Sequence, residues 1–257
     1  MTKIWKSDLY RFGKSRLFYG IAAVTSIIAL ALILTIRKDI RLGISVFGNL
    51  TAFRNADDII RIGVQYYKGL GIFAAVLISA FIGQEYSWKT WQHKCIIVKN
   101  RAFIYLSKAM LSSAASVLLF LLFQAVVLLC SGQIKEILTG GYMAMILCAS
   151  SIYAALGAVL CMLSMLIRSN IASTIVCLGY VLFCETLMSI IRIICSFTET
   201  ATKIGEWIIS HTIYAMSSII NGVTVSTESI LPILLNSMVI ILLSIAGGIS
   251  LFRKYEL

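Results

Sequence analysis

Charged residues and proline are scarce in this chain of 257 residues. Only 13% of the residues are Asp, Glu, Lys or Arg, a single residue is proline, and 60% are hydrophobic. A soluble globular domain has about 25% charged residues and about 45–50% apolar residues. The composition therefore excludes an ordinary soluble domain. The apolar residues fall in long blocks, which is typical of a polytopic membrane protein.

Motifs for catalysis and metal binding are also missing. The chain has no G-x-x-x-x-G-K-[ST] phosphate loop, no H-E-x-x-H motif and no C-x-x-C pair. Its two histidines, His93 and His211, stand far apart, and most of its seven cysteines lie in apolar blocks, where packing is their commoner role. We therefore expect no catalytic residue, no metal ligand and no bound cofactor in this chain.

Acidic residues are outnumbered by basic ones, which gives a net charge of +11. A basic protein can bind nucleic acid, but these bases flank the apolar blocks instead of covering one face. Lipid headgroups, and the excess of Lys and Arg on the cytoplasmic side of membrane proteins, explain this distribution better. If the six apolar blocks cross the membrane, the two terminal segments, the stretch 89–108 and Arg168 lie on one side and hold thirteen bases, and the segments on the other side hold eight. We therefore expect both termini in the cytoplasm and no nucleic-acid partner.

Six apolar blocks predict six transmembrane helices, and the predicted fold is one all-α transmembrane domain. The blocks are residues 17–36, 62–82, 102–130, 140–167, 171–190 and 231–252. The apolar core of the fifth block ends near Cys184, which makes it short for a crossing. Residues 198–228 form an outer segment before the last span, and their apolar pieces are too short to cross a membrane.

The first 16 residues have a basic amphipathic pattern. Ile4, Trp5, Leu9 and Phe12 recur at helical spacing among lysines and arginines. This pattern favours a helix that lies in the headgroup layer of the bilayer. The alternative is a charged anchor for the first span.

The stretch 83–101, GQEYSWKTWQHKCIIVKNR, combines charged residues with large aromatic residues, two of them tryptophans, between two long apolar blocks. Trp88, Trp91 and Cys95 lie three and four residues apart, so they share one face of a helix. Tryptophan favours a membrane–water interface. We interpret the stretch as a short amphipathic surface helix, and the alternative is a solvated loop.

Three polar residues stand in apolar surroundings: Gln124, Glu185 and Arg192. A charge inside a membrane is by default a candidate functional residue. Glu185 and Arg192 would lie about 10 Å apart along one straight helix, so only a helix break between them would bring them together. The alternatives are that both charges mark the outer membrane boundary and that Gln124 packs two helices together.

The whole layout resembles the membrane subunit of a type-2 ABC exporter of the bacterial peptide or antibiotic export type. The basic amphipathic start precedes the first span. Glu85 follows the second span, and the aromatic stretch then leads through Lys-Asn-Arg at 99–101 to Lys108. The fourth span ends in an Arg-Ser-Asn return at 168–170, and the last span closes on Phe-Arg-Lys at 252–254. The family often has Gly-Thr in its coupling segment, where this chain has Lys89 and Thr90.

This resemblance implies a permease in a bacterial plasma membrane. Two separate ABC ATPase subunits would bind ATP and Mg²⁺, and a second permease copy or a homologue would complete the assembly. Residues 83–101 would contact the ATPase through a coupling helix with Glu85, Trp88, Lys89, Trp91, His93, Lys94, Lys99 and Arg101. Residues 198–228 would hold re-entrant helices, while Gln124, Glu185 and Arg192 would line a cavity or an outer gate.

The resemblance also implies a class of substrate. We expect the export of amphipathic peptides of the toxin or bacteriocin type. Two alternatives remain open at this point. One is a non-transporting membrane protein, either an immunity factor or an assembly scaffold. The other is an ABC permease for lipid, drug or ion.

Overall fold

The computed structural model describes residues 2–37, 43–46, 49–52, 56–88, 90, 101–132, 139–167, 169–196, 199–220 and 225–254. These residues are mainly helical. The helices are α1 Thr2–Gly13, α2 Arg16–Arg37, α3 Ala56–Val64, α4 Leu70–Ser87, α5 Arg101–Ser131, α6 Gly140–Leu166, α7 Asn170–Cys195, α8 Glu199–Ser210, α9 Ile213–Ile219 and α10 Thr227–Lys254. A 3₁₀ turn spans Tyr66–Lys68, and two short strands, β1 Gly43–Val46 and β2 Asn49–Ala52, form an antiparallel hairpin.

Six of these helices are long and apolar enough to cross a membrane: α2, α4, α5, α6, α7 and α10. The shortest of the six, α4, has 18 residues. At 1.5 Å per residue it is about 27 Å long, close to the hydrocarbon thickness of a bilayer. The protein is therefore membrane-embedded, and the predicted helical architecture with six such helices is confirmed.

Helix α6 is the centre of the bundle. It packs against α4, α5, α7, α9 and α10, and Ile152, Leu156 and Leu160 are completely buried along it. Gly157 allows the closest approach, because a Cβ atom there would lie 2.6 Å from the backbone oxygen of Ser112 on α5. The outer helices α2, α7 and α10 instead expose apolar faces, as lipid-facing helices do.

The bundle has two ends that contain different elements. We call one the terminal end, since α1, the end of α4, the start of α5 and the end of α10 meet there. Phe252 near the chain terminus packs on Tyr105 at this end, with ring centres 6.4 Å apart. The other is the far end, where α3, the 3₁₀ turn and α9 cover the opposite ends of the long helices.

The second span begins later than predicted. The block 62–82 was expected to form one helix, but α3 ends at Val64 and α4 starts only at Leu70. Gly69 between them has φ +152°, a backbone conformation that residues with a side chain rarely adopt. This glycine allows the chain to turn. Helix α4 then continues to Ser87 and brings Glu85 into its last turn.

The fifth span is longer than predicted, and the hypothesis of a helix break between Glu185 and Arg192 is wrong. Helix α7 runs without interruption from Asn170 to Cys195. Apolar residues continue beyond Cys184, and residues 185–195 contain neither glycine nor proline. The helix therefore has no local reason to stop.

Candidate functional site

Four charged side chains meet at the terminal end: Asp8 and Arg11 of α1, Glu85 of α4 and Lys108 of α5. We call this group the ion cluster. Asp8, Glu85 and Lys108 are exposed by only 1%, 0% and 0%, while the Arg11 side chain is 28% exposed. Two carboxylates face two cations, so the ion cluster as a whole is neutral. Burial of these charges is tolerable because each has an oppositely charged partner.

Lys108 is at the centre of the ion cluster. Its Nζ atom lies 2.9 Å from Asp8 Oδ1 and 2.5 Å from Glu85 Oε1. Arg11 approaches the same Glu85 oxygen through Nη1, also at 2.5 Å. The ammonium of Lys108 on α5 thus contacts Asp8 of α1 and Glu85 of α4. Glu85 Oε1 in turn contacts both Lys108 and Arg11 of α1.

Neutral groups complete these contacts. Arg11 Nη2 donates a hydrogen bond to the backbone oxygen of Phe81 at 2.9 Å, and Ser107 Oγ donates one to Asp8 Oδ2 at 3.1 Å. The Phe81 ring lies against both cations, with its centre 4.3 Å from Arg11 Cζ and 4.9 Å from Lys108 Nζ. Aromatic faces attract cations at such distances. The Phe81 ring therefore adds a favourable contact to both cations of the ion cluster.

The helical spacing of α1 explains how a surface helix contributes to a buried site. Asp8 and Phe12 are four residues apart and share the face that packs on the bundle, and both are buried. Trp5 and Leu9 lie on an adjacent face and remain exposed. On α4, Phe81 and Glu85 are likewise four residues apart, which places ring and carboxylate on the same side of the helix.

The residues predicted to contact an ATPase have different positions. Glu85 is fully buried in the ion cluster, so its carboxylate does not present a surface for a partner. Trp88, directly after α4, is 64% exposed. Thr90 Oγ1 donates a hydrogen bond to the backbone oxygen of Glu85 at 3.2 Å. The other predicted coupling residues, Lys89, Trp91, His93, Lys94 and Lys99, lie outside the described residues, and so does the side chain of Arg101.

Gln124 packs helices together at the far end. It is buried on α5, and its Nε2 atom donates a hydrogen bond to the backbone oxygen of Ile60 on α3 at 3.1 Å. Gly63 lies against the same amide, since a Cβ atom at Gly63 would be 2.8 Å from Nε2. This contact fits the alternative that we gave for Gln124, helix packing.

Glu185 lies beside a group of tyrosines at the far end. The ring centres of Tyr67 and Tyr214 are 4.8 Å apart, and those of Tyr66 and Tyr67 are 5.8 Å apart. Glu185 is partly buried on α7 and acts electrostatically on both Tyr67 and Tyr214. We call Tyr66, Tyr67, Tyr214 and Glu185 the tyrosine cluster. It joins the 3₁₀ turn, α7 and α9, while Arg192 is exposed two turns further along α7.

The surroundings of the tyrosine cluster favour neutral side chains. Burial raises the pKa of Tyr67 far above its ordinary value, and the nearby tyrosine Tyr214 and the charge of Glu185 raise it further. Burial lowers the pKa of Lys68, and the positive charge of Arg61 adds to this, whereas Glu185 opposes it. The Lys68 ammonium lies 6.0 Å from the centre of the Tyr67 ring. These groups bring the 3₁₀ turn, α7 and α9 together.

The sequence prediction missed Asp8 and Arg11 as site residues, and it treated Lys108 only as the end of a motif. One signal was present. Asp8 falls on an otherwise apolar helix face four residues before Phe12, and Lys108 falls inside an apolar span. Buried charges at such positions need partners. Their distance in sequence from Glu85 hid the pairing.

The described residues hold no group of three or more His, Cys, Asp or Glu side chains that could bind a metal ion. The ion cluster therefore offers charge pairing between helices and no metal centre among these residues. Comparison with protein families found no family model that matches the chain, and the search of curated proteins found no match either.

Proposed function

We propose that this chain is the permease subunit of an ATP-driven exporter of the type-2 ABC class, in a bacterial plasma membrane with both termini cytoplasmic. The ion cluster is the observation that carries the proposal. It joins the surface helix α1 to two membrane-spanning helices at the point where α4 ends. The stretch 83–101, which we interpret as the coupling segment, begins within α4, includes Glu85 and continues beyond the end of that helix.

The ion cluster gives a physical route from a partner to the membrane helices. Glu85 is in the last turn of α4 and is paired with cations of α1 and α5. A displacement of the following segment therefore acts on three helices together, because separating these buried charges is costly. In this proposal Glu85 is a positioning residue. Trp88 and Trp91 are the residues that touch the ATPase, with Lys89, His93, Lys94, Lys99 and Arg101 around them.

ATP hydrolysis belongs to a separate pair of ATPase subunits, which bind ATP and Mg²⁺. This chain lacks a phosphate loop, so it has no such role of its own. Two permeases, identical or homologous, enclose the path. Closure of the ATPases on ATP moves the terminal end and switches the path from one side of the membrane to the other.

The far end supplies the outer part of the path. Helices α8 and α9 are short, and we assign them to the re-entrant segment expected for residues 198–228. Backbone at membrane depth must be covered by protein or must line a watery cavity. Through the tyrosine cluster, the 3₁₀ turn and α7 cover α9: Tyr67 and Glu185 lie beside Tyr214. Glu185 and Arg192 belong to this outer gate, and the substrate is an amphipathic peptide.

Capture of a partner ATPase tests the proposal. The chain is co-expressed with a candidate ABC ATPase subunit from the same organism, and co-purification and ATP hydrolysis are measured for Trp88→Ala and for the Trp88→Ala, Trp91→Ala pair. Aromatic contacts at the centre of an interface cost about 2 kcal/mol or more when truncated. We therefore expect capture to fall by more than tenfold in the double variant.

Trp207→Ala is the matched control. Trp207 on α8 has the same exposed fraction as Trp88, 64%. Trp88 follows α4 at the terminal end of the bundle, whereas Trp207 lies on a helix that packs on the last part of α7. Loss of capture by the double variant with normal capture by Trp207→Ala supports the coupling role. Normal capture and normal hydrolysis by both variants would contradict the proposed function.

A further inference from the structure

The faces of α1 are used for different contacts. A helix turns by about 100° per residue, so Asp8 and Phe12 point to one face, Trp5 and Leu9 to the next, and Lys6 and Tyr10 to the one beyond. The first pair is buried against the bundle, and the other four residues are exposed. Among the described residues, α1 therefore has one face buried against protein, one apolar face that is partly exposed and one exposed basic face.

The fold removes the negative charge from the accessible surface of α1. Asp8 is the only acidic residue among the first 38, and it is buried against Lys108 and Ser107. Of the nearby bases, Arg11 is engaged by Glu85 and by the backbone of Phe81. Lys6, Lys14 and Arg16 are exposed. The surface that α1 and the start of α2 present is therefore basic without an accessible carboxylate.

We propose that this surface binds anionic phospholipid. Lys6, Lys14 and Arg16 contact the headgroup phosphates, while Trp5 and Leu9 enter the acyl region beside them. The exposed apolar pair next to exposed bases identifies a lipid as the occupant, because a lipid supplies a hydrocarbon chain and a negative charge in one molecule. The proposal goes beyond the export function and does not depend on it.

The size of the effect follows from the number of exposed bases. Each Lys or Arg near a negatively charged membrane surface strengthens binding by about fivefold. The attraction is also screened by salt, with a Debye length of about 10 Å at 0.1 M ionic strength. Three accessible bases should therefore give a clear preference for anionic over zwitterionic lipid, and this preference should shrink as salt is added.

Binding of fluorescent phosphatidylglycerol to the purified full chain in neutral maltoside micelles tests the proposal. We expect Lys6→Gln, Lys14→Gln and Arg16→Gln each to weaken the binding of phosphatidylglycerol, and the triple variant to lose the preference over phosphatidylcholine. Lys203→Gln is the control, because Lys203 is an exposed lysine on α8. Trp5→Ala should weaken the binding of both lipids alike.

Three results would overturn the proposal. The first is equal affinity of the wild-type chain for phosphatidylglycerol and phosphatidylcholine. The second is equal losses of binding for Lys203→Gln and for the variants of Lys6, Lys14 and Arg16. The third is displacement of the lipid by millimolar inorganic phosphate, which would show a phosphate site without a role for the acyl chains. None of these measurements involves an ATPase. A negative result would therefore overturn the lipid site without affecting the proposed export function, and loss of the export function would leave the lipid site standing.

Discussion

The two ends of the bundle are held together by different interactions. At the terminal end, Asp8, Glu85 and Lys108 are almost fully buried and pair their charges with one another and with Arg11. The three ion pairs of this cluster, and the hydrogen bond from Arg11 to the backbone oxygen of Phe81, are 2.5–2.9 Å long. At the far end, ring centres lie 4.8–5.8 Å apart around a partly buried carboxylate. Short ionic contacts are directional and leave a charge behind when broken, whereas ring contacts are weaker and tolerate displacement.

This contrast suits the proposed division of work. An end that receives force from a partner needs helices that move as one, and the ion cluster joins α1, α4 and α5 in this way. An end that opens for a substrate needs contacts that separate at low cost, and the tyrosine cluster has such contacts. The following four predictions test the contrast, from the largest expected effect to the smallest.

Replacement of Lys108 should have the largest effect. Lys108→Met keeps most of the side-chain volume but leaves Asp8 and part of the charge of Glu85 uncompensated inside the bundle. Removal of one partner of a buried ion pair costs about 3–5 kcal/mol. We expect a large fall in the thermal unfolding midpoint of the purified protein. Lys203→Met, at an exposed lysine, is the control, and equal midpoints for the two variants would refute the central role of Lys108.

Replacement of Asp8 should have a smaller effect, since Lys108 keeps Glu85 as its partner. Asp8→Asn removes the negative charge that α1 contributes to the ion cluster and weakens the contacts with Ser107 and Lys108. Loss of a buried hydrogen bond to a charged group costs about 1.5–3 kcal/mol. We expect faster proteolysis between α1 and α2 together with a moderate loss of stability. The control is Asp57→Asn on α3, where the side chain is exposed. An equally large loss of stability for Asp57→Asn would show that Asp8 has no specific role in holding α1 against the bundle.

At the far end, the ring of Tyr67 should matter more than its hydroxyl. Tyr67→Leu removes the ring contacts with Tyr66 and Tyr214, which are worth about 0.5–1.5 kcal/mol per pair. Tyr67→Phe keeps both rings in contact and serves as the matched control. We expect only the leucine variant to lower the unfolding midpoint, by less than Lys108→Met does. If Tyr67→Leu is the more harmful of those two variants, the contrast between the ends is reversed.

The smallest effect on stability is expected for Glu185→Gln, and pH is the better measurement there. Burial raises the pKa of Tyr67 and of Tyr214, and the negative charge of Glu185 raises both pKa values further. Because these folded-state pKa values lie above the ordinary value of about 10, the stability that the neutral tyrosines contribute is present below pH 10 and is lost as the pH rises further. We therefore expect tyrosinate absorbance to appear at lower pH in Glu185→Gln than in the wild type.

Glu206→Gln is the control for that titration, because Glu206 is an exposed carboxylate on α8. Its tyrosinate titration should match the wild type. An identical shift in both variants would mean that Glu185 acts through net charge and not through its position beside Tyr67 and Tyr214.

The sequence was sufficient for the helical class and for six long apolar helices. Burial of apolar blocks in a bilayer depends on local composition and length, and both can be read along the chain. It was also sufficient to single out Glu85, since an acid beside a dense aromatic stretch is unusual in so apolar a chain. Helix bounds were less accurate. The turn at Gly69 made one predicted span start later, and the apolar residues after Cys184 extended another.

Only the tertiary structure decided which charges are paired. Asp8, Glu85 and Lys108 lie on three helices and are separated by up to 100 residues, so no spacing rule within one helix connects them. Their pairing depends on how α1 packs across α4 and α5. The same packing hides Asp8 and leaves Lys6, Lys14 and Arg16 exposed. Local sequence thus determined which segments enter the membrane, whereas the long-range cost of burying a charge without a partner determined how their ends are joined.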